Sequence, residues 1–288
     1  MIGEGFMTED LERLRARMMS VAYRMLGSVA DAEDAVQDAF VRFQTAGGVN
    51  SPEGFLVRTT TRLCIDRLRA RRRREYVGPW VPEPVATAGD PSESALAESL
   101  SQAFLLLLER LTPGERAAFL LRTVFDYEYA QIGEALGRSE ESVRQLVSRG
   151  RRRLGLDGER RFRATEARAD GLAERFTAAC RAGDLAAIEA MMAEDVTIRS
   201  DGGGKASAAR RVIAGREQAA KFMAGVFRKL LRTCEFRPTK VNGAPGLEVV
   251  HEGRTTYVVS LDLEEKVRAV FITVNPDKLA RWAATQVQ

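Results

Sequence analysis

The fold of the first half of the chain is decided by Tyr127-Glu-Tyr-Ala-Gln-Ile-Gly-Glu-Ala-Leu-Gly-Arg-Ser139. Gly137 closes the first predicted helix, Tyr127 to Leu136, because glycine adopts the left-handed conformation at a helix C-terminus without steric cost. Ser139 supplies the N-cap oxygen of a second helix, which reaches about Leu154. Two short helices joined by a tight, glycine-containing turn have the spacing of a helix-turn-helix.

Three more helices are predicted upstream of this stretch. Thr112-Pro-Gly-Glu115 has the form of a capping box, which opens a helix that runs to about Phe125. Between Asp31 and Phe43, apolar residues recur at the spacing of an amphipathic helix, and acidic residues occupy the opposite face. Ser51 followed by a proline is the start signal of the third helix, which ends in a dense run of arginine.

A proline-rich segment lies between these elements. It begins with Tyr76-Val-Gly-Pro-Trp-Val-Pro-Glu-Pro84 and continues into residues rich in Gly, Ser and Asp. Proline removes backbone donors and disfavours helix in the residue before it. We therefore predict an extended linker, residues 76–94, between two helical domains, residues 8–75 and 95–155.

The sequence changes character from about Arg168, and we predict a third domain over residues 165–288. Helices are predicted from Leu172 to Ala182, from Leu185 to Ala193 and from Gly215 to Arg232. A short strand at Val196 to Arg199 precedes a glycine loop, Asp201-Gly-Gly-Gly-Lys205. Alternating segments near residues 236–241, 247–251, 255–261 and 268–274 are typical of strands. Helices followed by strands predict an α+β domain with an antiparallel sheet.

The totals exclude several classes of protein. The 288 residues are enough for two or three separate hydrophobic cores. Cys64, Cys180 and Cys234 are far apart and form no C-x-x-C pair, which argues against a disulfide framework and against zinc. No stretch approaches the roughly 20 apolar residues of a membrane helix, and no signal pattern opens the chain. We expect a cytoplasmic protein that needs no membrane and no cofactor.

Local charge clusters are more informative than the net charge of +4. Residues 1–160 contain 23 arginines against 24 acids, whereas the remainder contains 21 bases against 16 acids. Six arginines nevertheless lie close together at the end of the helix that begins after Ser51. They are Arg67, Arg69, Arg71, Arg72, Arg73 and Arg74. Such a cluster favours phosphate binding. The alternative is a solvated helix terminus whose positive charge complements the helix dipole.

A second arginine cluster lies on the helix that follows Ser139. Val143, Leu146 and Val147 can pack inward, which leaves Ser142, Arg144, Gln145, Ser148 and Arg149 pointing outward, with Arg151, Arg152 and Arg153 beyond them. The start of this second helix is where helix-turn-helix proteins read base edges in the major groove. Two clusters on separate helical modules favour nucleic-acid binding over a surface helix with no function or one that docks on protein.

Three stretches carry a family resemblance. Tyr23-Arg-Met-Leu-Gly-Ser-Val-Ala-Asp-Ala-Glu-Asp-Ala-Val-Gln-Asp-Ala-Phe40 resembles the core-binding region of extracytoplasmic-function (ECF) sigma factors of RNA polymerase. Arg62-Leu-Cys-Ile-Asp-Arg-Leu-Arg69 is similar to their promoter-melting region. Tyr129-Ala-Gln-Ile-Gly-Glu-Ala-Leu-Gly137, with Ser142-Val-Arg and Ser148-Arg-Gly-Arg, resembles their second conserved domain. The match covers residues 8 to about 155, and a free-standing helix-turn-helix repressor would not need the first two stretches.

The resemblance implies two partners, core RNA polymerase and promoter DNA. The face formed by Asp31, Asp34, Gln37 and Asp38 would dock on the clamp helices of the β′ subunit, and the β subunit is an expected further contact. Residues Arg58 to Arg74, with Arg58 and Arg62 added to the cluster above, would engage the minus-ten element and its melted strand. The Ser139 helix would read the minus-thirty-five element. Phe55 stands where many relatives carry Trp, and Arg62 where many carry Asn, which leaves the bases captured on the melted strand undefined.

Three further segments resemble the SigJ-type subgroup, in which a SnoaL-like (NTF2-like) domain follows the two sigma domains. They contain Trp80, Pro82, Glu83 and Pro84; Asp201, Gly202, Gly203, Gly204 and Lys205; and Asn275, Pro276, Asp277, Lys278 and Leu279. In that subgroup the extension is thought to control activity in cis, which implies that the segments form a regulatory interface. Whether this interface favours or opposes polymerase binding stays open. The alternative for the glycine loop is a plain turn between a strand and a helix.

SnoaL-like folds form a cone around a pocket, and some relatives use a His/Asp pair for acid/base chemistry. The only histidine here is His251, beside Glu252 on a predicted strand, and such a histidine is more often structural. We therefore expect no enzyme, while a small-molecule ligand in the C-terminal pocket stays open. The sequence predicts a multidomain sigma factor: two all-α sigma domains, a helical bundle and a helix-turn-helix, and an α+β SnoaL/NTF2-like cone. The alternative is a conventional helix-turn-helix regulator fused to a SnoaL-like ligand sensor or enzyme.

Overall fold

The computed structural model describes residues 8–71, 76–87, 100–156, 166–230 and 233–285. The chain folds into two compact units. The helical unit contains the residues up to Glu75 and those from Leu105 to Arg160, and the sheet unit contains Tyr76–Phe104 and the residues from Arg161 onward. The proline-rich segment therefore belongs to the fold of the sheet unit.

The helical unit begins with three helices, α1 (Thr8–Leu26), α2 (Val29–Thr45) and α3 (Pro52–Arg71). Ser28 Oγ accepts a hydrogen bond from the Asp31 amide at 3.3 Å, and Ser51 Oγ accepts one from the Gly54 amide at 3.1 Å. The predicted apolar face of α2 is confirmed, because its members are buried: Ala32, Ala35, Val36, Ala39 and Phe43.

The second part of the helical unit contains α4 (Gln102–Leu107), a 3-10 turn (Leu108–Arg110), α5 (Pro113–Thr123), α6 (Tyr129–Leu136) and α7 (Glu140–Leu154). The boundary between the two units falls inside α4. The predicted capping box at Thr112 and Glu115 is present, and Gly137 has the left-handed conformation, with φ of 64°. Helices α6 and α7 form the predicted helix-turn-helix.

Both parts of the helical unit pack together. Arg116 on α5 is buried, and its guanidinium donates to the carbonyl oxygens of Met25 and Leu108, each at 2.7 Å. Helix α3 also packs on α6, and α1 packs on α5. Within the described ranges, no helix combines the length and the apolar character needed to cross a membrane.

The sheet unit contains six strands in the order β2-β1-β6-β5-β4-β3. The strands are β1 (Met192–Asp201), β2 (Ile213–Ala214), β3 (Glu235–Val241), β4 (Ala244–His251), β5 (Arg254–Leu263) and β6 (Val267–Thr273). Strands β1 and β6 run parallel, so the expectation of an antiparallel sheet is wrong at this pair. Strand β1 is also longer than predicted and takes in Met192 and Ala193, which the sequence had suggested for the preceding helix.

Each face of this sheet is covered by a different part of the chain. Helices α8 (Glu166–Ala182), α9 (Leu185–Met191) and α10 (Arg216–Leu230) cover one face, where Phe176, Ile188, Met223 and Phe227 join Ile198, Val259, Leu261 and Val270 in the main core. Helix α11 (Pro276–Thr285) covers part of the other face, where Leu279 and Trp282 pack with Val241 and Val258. Ala86 of the proline-rich segment joins this second core.

Candidate functional site

The four residues predicted to bind polymerase share one exposed face of α2. Asp31, Asp34, Gln37 and Asp38 are all exposed, and the opposite side of α2 is buried. The amphipathic pattern of the sequence therefore places three carboxylates in solvent, at the spacing of successive turns. Such a face attracts a basic partner surface.

Four of the arginines predicted to contact the melted strand form contacts with protein atoms. Arg62 Nε donates to the carbonyl oxygen of Ala135 at 3.1 Å. Arg67 pairs with the Asp38 carboxylate at 3.0 Å, which joins a predicted DNA contact to a predicted polymerase contact. Arg69 pairs with Asp66 at 3.3 Å, and Arg71 donates to the Leu26 carbonyl at 3.0 Å.

The same predicted set also contains Arg58 and the run from Arg72 to Arg74. Arg58 is exposed, and its guanidinium lies 5.5 Å from the centroid of the Phe55 ring. Arg72, Arg73 and Arg74 lie outside the described residues.

A cleft of about 460 Å³ lies where α3 faces α6. Its walls include the α2–α3 loop, residues 46–51, together with Phe55 and Arg58 of α3 and Gln131 and Glu134 of α6. Tyr127 also lines the cleft, and its hydroxyl donates to Glu53 at 2.9 Å. Burial and the bond to Glu53 raise the pKa of Tyr127, so it stays a neutral donor. Helix α6 therefore covers part of the α3 surface that is predicted to bind DNA.

The recognition helix candidate, α7, presents a polar surface. Arg144, Gln145, Ser148, Arg149, Arg151 and Arg152 are exposed and Ser142 is half-buried, while Val143, Leu146 and Val147 are buried as predicted. Arg144 pairs with Glu140 at 3.2 Å and stacks on Tyr129, with 4.3 Å between the guanidinium and the ring centroid. These contacts are at the surface, where an ion pair contributes little to stability.

The Glu115 carboxylate is buried beneath α7, unlike the exposed polar side chains of that helix. It accepts a hydrogen bond from Arg153 at 2.7 Å and forms an ion pair with Arg149 at 3.4 Å. Burial would raise the pKa of Glu115, but the hydrogen bonds from Thr112 and the charges of Arg153 and Arg149 outweigh burial and lower it. The carboxylate is thus ionised at neutral pH, and it holds two arginines of the candidate recognition helix.

The three segments predicted to form the regulatory interface meet around Asp201 of β1. This carboxylate is fully buried and accepts hydrogen bonds from the Tyr76 hydroxyl at 2.6 Å, the Val81 amide at 2.9 Å and the Gly203 amide at 3.0 Å. Lys278 completes the set with an ion pair at 2.7 Å, and its ammonium also donates to the Val81 carbonyl. A buried charge with this many donors is strongly specified in position.

Aromatic rings and close backbone packing surround this carboxylate. The Lys278 ammonium lies 5.0 Å from the Trp80 ring centroid. Gly203 has φ of 58°, and a Cβ there would collide with the Asn275 side chain. The glycine loop is therefore more than a plain turn, because its backbone touches the 275–279 segment directly. The buried members of the three segments also include Pro82, Glu83, Pro84, Gly202 and Leu279. Gly204 and Pro276 are exposed. The neighbouring Lys205 and Asp277 form an ion pair at the surface, with 2.6 Å between Nζ and Oδ2.

The sequence did not reveal two further anchors of the proline-rich segment. Asn242, at the β3–β4 turn, is fully buried; its side chain accepts from the Val85 amide at 2.9 Å and donates to the Leu100 carbonyl at 3.0 Å. Gln102 donates to the Pro82 carbonyl at 2.7 Å and accepts from Ser260 at 2.6 Å. The Asn-Gly dipeptide at Asn242 is a hairpin signal, but nothing local marks its side chain as a tertiary contact.

Chemical groups typical of catalysis or metal binding are sparse in the described ranges. No cluster of three or more His, Cys, Asp and Glu side chains is placed to hold a metal there. His251 hydrogen-bonds through Nδ1 to the Thr233 carbonyl at 2.7 Å, as a structural histidine does. Burial raises the pKa of both the Cys64 and Cys180 thiols to about 12, so both are protonated and unreactive at neutral pH.

An acidic helix face, an arginine-rich helix and a helix-turn-helix, joined through a linker that is folded into an α+β domain, define a DNA-binding protein with a fused accessory domain. Family models agree with each part: "Sigma-70 region 2" matches residues 11–74, "Sigma-70, region 4" matches residues 101–154, and "SnoaL-like domain" matches residues 173–282.

Known proteins narrow the class further. The ECF RNA polymerase sigma factor SigJ of Mycobacterium tuberculosis is 38% identical over 227 residues, which are 76% of this chain and 73% of SigJ. The chain therefore belongs to the family of ECF RNA polymerase sigma factors. The crystal structure of SigJ superposes with a TM-score of 0.77 at 32% identity, over 95% of this chain and 98% of SigJ. The probable ECF sigma factor SigI of M. tuberculosis is 34% identical over 59% of this chain and 61% of its own length. These matches favour a sigma factor over a conventional regulator.

Proposed function

We propose that the chain directs core RNA polymerase to specific promoters, and that its sheet unit adjusts this activity in cis without catalysing a reaction. Residues 8–75 would bind core polymerase in the cytoplasm and melt the promoter, residues 95–155 would read the upstream element, and residues 165–288 would act on both. The exposed acidic face of α2 and the exposed arginines of α7 support the first two roles.

One observation carries the cis-regulatory part of the proposal. Residues 76–87, which lie between α3 and α5, are held in the sheet unit by Asp201, Asn242 and Gln102. A linker fixed in this way has lost the freedom of an extended chain, which would otherwise let the two sigma domains move independently. The sheet unit therefore controls the chain segment on which their relative movement depends. A bound small molecule in the SnoaL-like domain would be a further input to the same control.

Promoter-specific run-off transcription with purified core polymerase tests the proposal. The full chain, a version that ends at Arg163, and the point variants Lys278→Met and Lys205→Met would be compared. Lys278 is buried against Asp201, and removing one partner of such a pair costs about 3 to 5 kcal/mol, whereas the Lys205–Asp277 pair is exposed and worth little. Lys205→Met is therefore the matched control.

We expect the full chain to initiate at specific promoters, and Lys278→Met to change the transcript yield in the same direction as truncation. Lys205→Met should resemble the unchanged chain. Equal yields from all four proteins would remove the cis-regulatory role. Specific DNA binding without any promoter-specific initiation would instead identify a conventional regulator.

A further inference from the structure

The Glu115 carboxylate lies at the contact between α5 and the candidate recognition helix. Its side chain is 3% exposed, and it receives Arg149 and Arg153, which are one turn apart on α7. Between these arginines lies Gly150, where a Cβ would come within 3.5 Å of Phe119 on α5. The two helices therefore approach closely at the point where Glu115 pairs with both guanidinium groups.

Arg149 and Arg153 are each about half exposed, at 48% and 47% of the side chain. They are thus accessible to solvent and yet directed toward a carboxylate on their own protein. The neighbouring Arg151 and Arg152 are also exposed and do not contact this carboxylate. The last four arginines of α7 are therefore of two kinds: Arg149 and Arg153 pair with Glu115, whereas Arg151 and Arg152 face solvent.

We propose that Glu115 is a positioning residue that sets the DNA specificity of α7 by withholding Arg149 and Arg153 from phosphate. Phosphate contacts add affinity without sequence information, whereas contacts to base edges provide specificity. A helix with every arginine free would bind any duplex. Glu115 removes two of these non-specific contacts and also fixes the orientation of α7. This inference rests on the proposed role of α7 in reading the upstream element.

The Glu115→Gln variant separates the charge of Glu115 from its structural role. Glutamine is also accepted at the last position of a capping box, so the start of α5 keeps its cap while the charge that holds the arginines is lost. Asp126→Asn is the matched control, because it removes one negative charge from the same unit. Asp126 is 93% exposed, pairs with Arg122 and has φ of 56°, which asparagine tolerates.

The experiment uses holoenzyme assembled from core polymerase and the full chain. A promoter is first identified by sequencing the transcripts that the unchanged holoenzyme makes on genomic DNA. Binding to this promoter, and to a duplex with a scrambled upstream element, is then measured as a function of salt. Each additional phosphate that an arginine neutralises makes the slope of log K against log salt more negative by about 0.9.

For Glu115→Gln we expect the slope to steepen by about 1 to 2, and the preference for the true promoter over the scrambled duplex to fall about ten-fold. Asp126→Asn should change neither quantity. Weaker binding to both duplexes with an unchanged slope would show a merely structural role and overturn the proposal. Equal steepening by Asp126→Asn would overturn it as well, because net charge would then be the cause.

Arg149→Gln and Arg153→Gln provide a second test that does not depend on the behaviour of Glu115→Gln. While Glu115 holds these arginines they do not bind phosphate, so neither change should reduce the slope. A reduction of about 0.9 in either variant would refute the inference. Failure of the proposed function is distinct, because the unchanged holoenzyme would then make no promoter-specific transcripts at all.

Discussion

Asp262, on β5, is an ionisable side chain whose environment opposes its charge. Burial raises its pKa to about 6, with the nearby Glu264 adding to this effect and Arg268 opposing it. The folded state therefore holds the proton more tightly than the unfolded state, whose carboxyl has the ordinary value of 3.8. Linkage then requires the stability of the sheet unit to fall as the pH rises through this interval and to stay lower above it.

We predict that Asp262→Asn stabilises the sheet unit by about 1 to 3 kcal/mol at pH 8 and changes it little at pH 4, because the amide has no charge to bury. Urea unfolding followed by tryptophan fluorescence measures this directly, since both tryptophans of the chain, Trp80 and Trp282, belong to the sheet unit. Asp195→Asn is the control, because Asp195 is 70% exposed and pairs with the same Arg268. If Asp262→Asn does not stabilise the sheet unit at pH 8, the raised pKa of Asp262 is contradicted.

At the level of residues, the sequence revealed the local signals well and the tertiary ones poorly. Ser139 and Thr112 could be predicted as caps because each acts on an amide three residues away. The pairing of Glu115 with Arg153 could not be predicted, because it depends on how α7 crosses α5. Arg149 is predicted to bind DNA, and its ion pair with Glu115 is a further contact that the sequence did not reveal.

Among the elements, the β3–β4 and β4–β5 turns are a natural pair. Each places a residue with positive φ before a glycine, Asn242 in the first turn and Glu252 in the second, with φ of 54° and 49°. Only the first of these two side chains reaches the proline-rich segment, at Val85, and it also donates to the Leu100 carbonyl. One turn therefore serves as an anchor, and the other, whose Glu252 side chain is 86% exposed, closes a hairpin.

We predict that Asn242→Gly loosens the segment around Val85 without disturbing the hairpin, because glycine keeps the positive φ and loses two buried hydrogen bonds. At about 1 kcal/mol each, their loss should speed amide hydrogen exchange of Val85 and Thr87 by about 10- to 100-fold. The Val81 amide, held by Asp201, should exchange at its original rate. Glu252→Gly is the control, and an effect of equal size in that variant would count against the anchor.

The elements that sequence analysis placed incorrectly are those whose surroundings are distant in the chain. Strand β1 was expected to be short and in an antiparallel sheet, yet it extends from Met192 and runs parallel to β6. Its partner β6 supplies the hydrogen bonds that keep these residues extended rather than helical. The proline-rich segment docks on β3, where the Thr87 amide donates to the Lys240 carbonyl at 3.2 Å. The sequence did not predict this contact, because the two residues are distant in the chain.

For the molecule as a whole, the proposed role of α3 in promoter melting would require the contact of α3 with α6 to open. Arg62 must leave the Ala135 carbonyl before it can contact a melted strand. The same contact is stabilised by the hydrogen bond from Tyr127 to Glu53. Arg17 also stacks on the Tyr127 ring, with its guanidinium 4.7 Å from the ring centroid. The free protein is thus expected to open only transiently.

We predict that Tyr127→Phe raises the open population about five-fold, since it removes one hydrogen bond worth about 1 kcal/mol and keeps the ring on which Arg17 stacks. Amide hydrogen exchange of α6 in the full chain should accelerate by the same factor. Tyr129→Phe is the matched control, because this ring stacks on Arg122 and Arg144 and the change leaves both stacking contacts in place. Identical exchange in the two variants would mean that Tyr127 does not hold the contact.

The proline-rich segment is synthesised long before the last residues of the sheet unit into which it folds. A ribosome makes Gln102 roughly 180 residues before Trp282, and at 5 to 20 residues per second the segment waits about 10 to 40 s for its last binding partners. Both sigma domains are complete well before that interval ends, while the segment still lacks its partners on β3, β5 and α11. The proposed control by the sheet unit would therefore begin only when translation of the chain is nearly complete, and a message truncated late would produce the two sigma domains without it.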